Sequence, residues 1–168
     1  RVLSRRVLEV PPSGIRRFFD IAATMTDVIS LGIGEPDFDT PQHILAAASA
    51  AMRGGDTHYT ATTGTLALRQ AICHKLERDN GLAYGLDEVV AGCGGKHIIY
   101  HALAATLNLG DEVIVHTPYW VSYPDIALLA DATPVIVEAK QATGFKITPA
   151  QLEKAITKKT KLFVLNSP

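Results

Sequence analysis

The hydrophobic pattern of the chain changes character near residue 88. Before it, apolar positions recur at helical spacing, separated by polar stretches rich in turn residues. Ile15, Phe18, Phe19 and Ala22 fall on one face of a predicted helix that Ser13 can cap. Ile44 to Met52 is Ala-rich and helical, opened at Thr40-Pro41 and stopped by Gly54-Gly55. A third helix is predicted from Leu66 to Asp79, with Leu68, Ala71, Ile72 and Leu76 on one face and Gly81 as its terminator. Val28 to Leu31 reads as a short extended run, Gly32 to Pro41 as turns, and His58 to Gly64 as a polar loop.

From Glu88 onward the pattern becomes regular. Short apolar, β-rich runs occur at Val89–Ala91, Val113–Val115, Val135–Val137 and Leu162–Leu165. Helical stretches separate them at about Gly95–Leu109, Val121–Ala130 and Pro149–Ile156. Strands that are apolar on both faces and alternate with helices predict a sheet covered on both sides. The expected class is therefore α/β: a three-layer α/β/α arrangement with a mainly parallel sheet, preceded by an N-terminal arm and helical segment. The arm itself, polar and basic up to Pro11-Pro12, carries no core of its own.

Composition narrows the function classes. At 168 residues and 47% hydrophobic, the chain can bury a substantial core and fits about one domain. Sixteen basic and seventeen acidic residues leave a net charge of −1 with no basic stripe, so nucleic acid is not an expected partner. No apolar run is long enough for a membrane span. Cys73 and Cys93 lack metal-ligand spacing and read as reduced thiols of a cytoplasmic protein. His97 and His101 stand one helical turn apart, but the spacing of two residues makes no metal site, and none is expected.

The chemistry concentrates at a strand-to-helix switch, Val89-Val90-Ala91-Gly92-Cys93-Gly94-Gly95-Lys96. Glycines allow a sharp turn and close approach to the backbone. The helix they open has free N–H groups and a partial positive charge, which suits a phosphate. One strand later, Thr117-Pro118-Tyr119-Trp120 places aromatic rings at a neighbouring strand tip. An anion cradle beside a flat surface points to a phosphorylated aromatic cofactor. The plainer readings are a tight turn with a solvated lysine and a tryptophan that is simply core.

Four segments together resemble the fold-type I pyridoxal-phosphate aminotransferases of class I/II, and most closely the bacterial aspartate aminotransferases. They are Gly34-Glu35-Pro36-Asp37-Phe38, His58-Tyr59 with Gly64, Gly94-Gly95-Lys96, and Pro118-Tyr119-Trp120-Val121-Ser122-Tyr123-Pro124. The likeness runs from about Ser4 to Pro168, and Asn166-Ser167-Pro168 looks like the opening of the family's next motif. Residues 1–40 then correspond to an arm and part of a small domain, and 41–168 to the N-terminal part of the cofactor-binding large domain.

The resemblance implies roles. Gly94, Gly95 and Lys96 would hold the phosphate of pyridoxal 5'-phosphate, and Trp120 would stack on its ring and line the substrate pocket. Tyr59 would cross to the partner subunit's phosphate in a homodimer. Gly34 would contact the substrate α-carboxylate, with Ile33 as an apolar wall nearby. Glu35 and Asp37, beside Pro36, read as turn-stabilising side chains rather than acid–base groups. The implied reaction moves an amino group between an L-amino acid, with aspartate a candidate, and a 2-oxo acid. Another reaction on the same scaffold (β-lyase or decarboxylase) and an aminotransferase-like ligand sensor of a regulator are the alternatives. A nucleotide-binding α/β domain is a more distant one.

No catalytic residue is expected within the chain. The family's Schiff-base lysine, its pyridinium-binding aspartate and its carboxylate-clamping arginine would lie beyond Pro168; Lys96, Lys140, Lys146 and Lys154 do not stand in that lysine's motif. With Arg1 at the start and a stop just after a strand pattern, the chain reads as a piece of a longer protein. A helix N-terminus contributes about 0.3–2 kcal/mol to anion binding, and ring stacking about 0.5–1.5 beyond burial. Millimolar affinity already needs about 4 kcal/mol. The isolated piece is expected to be inactive, with a poorly partnered strand at 89–91 and exposed sheet edges.

Overall fold

The computed structural model describes residues 2–12, 14–29, 34 and 36–166. The chain folds as two compact units, Pro12–Ala91 and the combination of Arg1–Pro11 with Gly92–Pro168.

The second of these holds the sheet. Strands β1 (Glu112–His116), β2 (Thr133–Val137) and β3 (Thr160–Val164) are all parallel, in the order β2-β1-β3. The register pairs Ile114 with Val135 on one side and Phe163 on the other, with an irregularity between Glu112 and Val113 on the β3 side. Central β1 is apolar on both faces because both faces are covered. Val113, Ile114 and Val115 are fully buried, each stabilising the fold by roughly 1.5–3 kcal/mol relative to exposure.

Helices α5 (Gly95–Thr106) and α6 (Ser122–Leu129) supply much of the cover. Leu103 and the adjacent Leu107 join Val113, Val115, Ile126, Ala127, Ala130 and Ala132 in one core. The short helix α7 (Pro149–Ala155) is started by a capping box. There Thr148 Oγ1 accepts from the Gln151 amide, and Gln151 Oε1 accepts from the Thr148 amide. These elements match the predicted alternation within one to three residues at each end.

The N-terminal arm is more ordered than its composition implied. Arg5–Glu9 forms a short helix, α1, packed against α6. Arg6 pairs with Asp131 at 3.2 Å and Arg5 reaches the same carboxylate at 3.8 Å. Two ion pairs to Asp131 thus tie the arm to the residue just past α6.

The other unit contains α2 (Gly14–Ala22), α3 (Gln42–Arg53) and α4 (Leu66–Asn80). Gly81 ends α4 in the left-handed conformation, as its position predicts, and Thr65 Oγ1 caps the helix start by accepting from the Leu68 amide. Helix α3 begins at Gln42, just past the predicted Thr40-Pro41 opening, with Pro41 at its N-cap and no side-chain cap bond. The proposed cap of α2, Ser13, lies outside the described residues.

One predicted strand is not formed. Val89–Ala91 is extended but pairs with no strand among the described residues; its ordered bond is Ala91 N–H donated to the Thr63 carbonyl. Val89 is buried while Val90 is exposed. The run is extended as predicted, but a strand also needs a ladder partner. Here a loop carbonyl takes that place.

Candidate cofactor and substrate site

The carboxyl end of β1 leads into a short, heavily tied segment. The Thr117 amide donates to the Val137 carbonyl at 3.0 Å. The Thr117 hydroxyl accepts from the Ala139 amide at 2.8 Å and lies 3.3 Å from the Ala139 carbonyl, to which it donates. The exits of β1 and β2 are thereby fastened together. After the cis Thr117-Pro118 bond the chain presents Trp120, whose carbonyl accepts from the Tyr123 amide at the start of α6. Tyr123 meets the indole edge-on, with centroids 5.4 Å apart. Trp120 keeps 37% of its surface exposed, so it is not a buried core residue.

The glycine turn precedes α5. The Gly94 amide donates to the Gly92 carbonyl at 3.0 Å, and Gly94 adopts φ 94°, ψ 160°, a conformation nearly restricted to glycine. At Gly92 the crowding comes from side chains instead: a β-carbon there would lie 2.5 Å from Ile98 Cδ1, the end of a flexible, partly exposed side chain that can swing aside. Around Gly94 and Gly95 the corresponding space is open. Among the described residues, the amides of Gly95 and Lys96 find no acceptor. They point from a helix start with the dipole behind them.

The turn and the indole come together through a side chain. Lys96 Nζ lies 4.8 Å from the centroid of the Trp120 ring. That contact was not legible in the sequence, which assigned Lys96 only a backbone role. His116 was also missed. It is buried, Nδ1–H donates to the Thr117 carbonyl at 3.2 Å, and Nε2 accepts from the Asn166 amide at 3.4 Å. It links the tip of β1 to Asn166, two residues past the end of β3.

The remaining candidates lie in the other unit. Tyr59 is fully exposed in its loop, and a β-carbon on Gly34 would meet nothing within 4 Å. Ile33 and Glu35 lie outside the described residues. Among the described residues, no three His, Cys, Asp or Glu side chains converge as a metal would require. No helix among them is long and apolar enough to cross a membrane.

A parallel α/β sheet, with a glycine turn opening α5 and a partly exposed indole past the end of β1, defines a class: an α/β domain whose turn and indole suit a phosphorylated, planar ligand. Comparison with known proteins gives the particular family. Residues 26–168 match the family described as aminotransferase class I and II. An aspartate/prephenate aminotransferase of Cereibacter sphaeroides is 60% identical over 149 residues, covering 89% of this chain and 37% of that protein. A protein of the same name from Nitrosomonas europaea is 48% identical, covering 99% of this chain and 43% of its own. Among solved structures, the aspartate aminotransferase of Rhizobium meliloti superposes with a TM-score of 0.96 at 45% identity, over 100% of this chain and 43% of that one. The Thermus thermophilus aspartate aminotransferase with maleate gives 0.93 at 40% identity, over 100% and 45%. The chain belongs to the class I and II aminotransferase family. It spans about two fifths of the length of these relatives.

The family implies pyridoxal 5'-phosphate as cofactor. The donor set here fits that group: two amides without an acceptor among the described residues and open space for a phosphate, and a partly exposed indole for a ring.

Proposed function

We propose that this chain supplies the phosphate cradle and ring wall of a pyridoxal-phosphate-dependent aminotransferase. The protein would move an amino group between an L-amino acid and a 2-oxo acid. The observation that supports the reading is the Lys96–Trp120 contact, which sets the side chain of the helix's first turn 4.8 Å from the aromatic ring.

When bound, the cofactor withdraws electrons from the substrate's α-carbon. The chain's own residues do the holding. Gly94 turns the backbone so that the Gly95 and Lys96 amides bind the phosphate dianion, with the helix dipole adding about 0.3–2 kcal/mol. Trp120 keeps the ring planar and excludes water from one side. Gly34 contacts the substrate carboxylate with Ile33 as an apolar wall beside it, and Tyr59 completes the phosphate site of a second subunit in a homodimer. Residues 1–40 serve as arm and small-domain segment, and 41–168 as the opening of the large domain. The protein works in the cytoplasm.

Aspartate is the proposed donor, from the names of the relatives. Prephenate, which carries a 2-oxo acid group, is a candidate acceptor from two of those names. Incubating the complete polypeptide with pyridoxal 5'-phosphate, aspartate and a panel of 2-oxo acids should consume aspartate and form a new amino acid in equal amounts. Elimination or carbon dioxide release without amino transfer would assign a different reaction.

A further inference from the structure

His97 and His101 stand one turn apart on the exposed side of α5, and their Nε2 atoms come within 3.1 Å. The rings meet edge to face, with centroids 4.4 Å apart and planes at 74°. Two neutral imidazoles approach this closely when one carries its proton on Nε2 and donates to the other's lone pair. Spacing alone never required this, because exposed histidines one turn apart are free to point away from each other. Here both turn their Nε2 atoms inward, and Tyr100 packs against His101 with centroids 5.5 Å apart, limiting its rotation.

That convergence is the geometry of a chelate. Late divalent metals bind imidazole nitrogen at about 2.0–2.1 Å. An ion placed at that distance from both nitrogens, themselves 3.1 Å apart, would subtend an angle of roughly 95–100°. This lies between the right angle of square-planar or octahedral coordination and the tetrahedral angle. We propose that His97 and His101 form a bidentate site for a late divalent transition-metal ion, with Cu²⁺ bound most tightly and Ni²⁺ and Zn²⁺ more weakly. On binding, the donor ring keeps its proton by shifting it to Nδ1, leaving both Nε2 lone pairs to the metal. No cluster of three ligating side chains forms among the described residues, so water fills the other positions and the ion exchanges readily. A bound ion staples the first two turns of α5, the helix that begins at Gly95.

The test is a Cu²⁺ titration of the tag-free full chain followed by electron paramagnetic resonance. The expected result is one site whose spectrum carries two imidazole nitrogens. His97→Gln and His101→Gln should each leave one nitrogen and weaken binding roughly tenfold or more, at least the loss produced when a ligand's supporting partner is removed. His43→Gln, His58→Gln and Cys93→Ser should change neither affinity nor spectrum. A second readout does not depend on the variants: Cu²⁺ should broaden amide resonances most strongly around residues 97–101. Two-nitrogen binding that survives both substitutions, dependence on Cys93, or broadening centred elsewhere would overturn the proposal.

Discussion

The ammonium of Lys96 sits 4.8 Å from the centroid of the Trp120 ring, joining the first turn of α5 to the segment beyond β1. A cation over an exposed aromatic face contributes about 0.5–1 kcal/mol. A double-mutant cycle of Lys96→Met and Trp120→Leu, read by urea unfolding, should return a coupling energy of that size. A coupling indistinguishable from zero would mean the two side chains do not meet in solution.

The glycines of the turn face different constraints, and substitution separates them. Gly92→Ala brings a methyl to 2.5 Å from Ile98 Cδ1 and 2.7 Å from His97 Nδ1; both are exposed side chains that can swing aside, so it should cost less than about 1 kcal/mol. Gly94→Ala meets no atom but must hold φ 94°, and should cost about 1–3 kcal/mol through backbone strain. Gly95→Ala has neither problem and should leave the urea midpoint unchanged or raised. Equal effects at all three positions would contradict the account.

Ion pairs tie the arm down, so its attachment should respond to salt. Arg5 and Arg6 both reach Asp131, which is partly exposed. Asp131→Asn keeps a residue that tolerates φ 58° while removing the charge. It should cost under about 1 kcal/mol overall, yet make amides in Arg5–Glu9 exchange faster. High salt should reproduce the effect in the parent protein and do nothing in the variant.

Near the end of α4, Arg78 grips the neighbouring Asp79 carboxylate through two bonds, of 2.6 and 3.1 Å. This holds the Asp79 pKa below its ordinary value, with Lys75 adding to the effect. A depressed carboxyl contributes stability above its unfolded pKa and loses it as pH falls through the folded value. Following the Asp79 carboxyl by NMR should therefore show a low titration midpoint that Arg78→Gln moves upward. An unmoved midpoint would assign the shift to another cause.

What the sequence revealed followed the range of each interaction. Gly81 marked a stop because a left-handed residue is a local requirement, and it caps α4 at positive φ. The parallel sheet was legible because Val113 to Val115 had to be apolar on both faces. The strand expected at Val89–Ala91 was not formed, because pairing depends on a partner that no local pattern supplies. Helix α1 went unseen for a related reason: Arg5 and Arg6 read as solvated charges until Asp131, distant in sequence, gave them a place. His116 and the Lys96–Trp120 contact were equally hidden, since each joins elements that only the folded chain brings together.

The most direct measurement is a crystal structure of the complete polypeptide with pyridoxal 5'-phosphate bound. The phosphate oxygens should lie about 3 Å from the Gly95 and Lys96 amide nitrogens, with the pyridine ring packed on the indole of Trp120. A phosphate held elsewhere, or an indole turned away from the ring, would contradict the account.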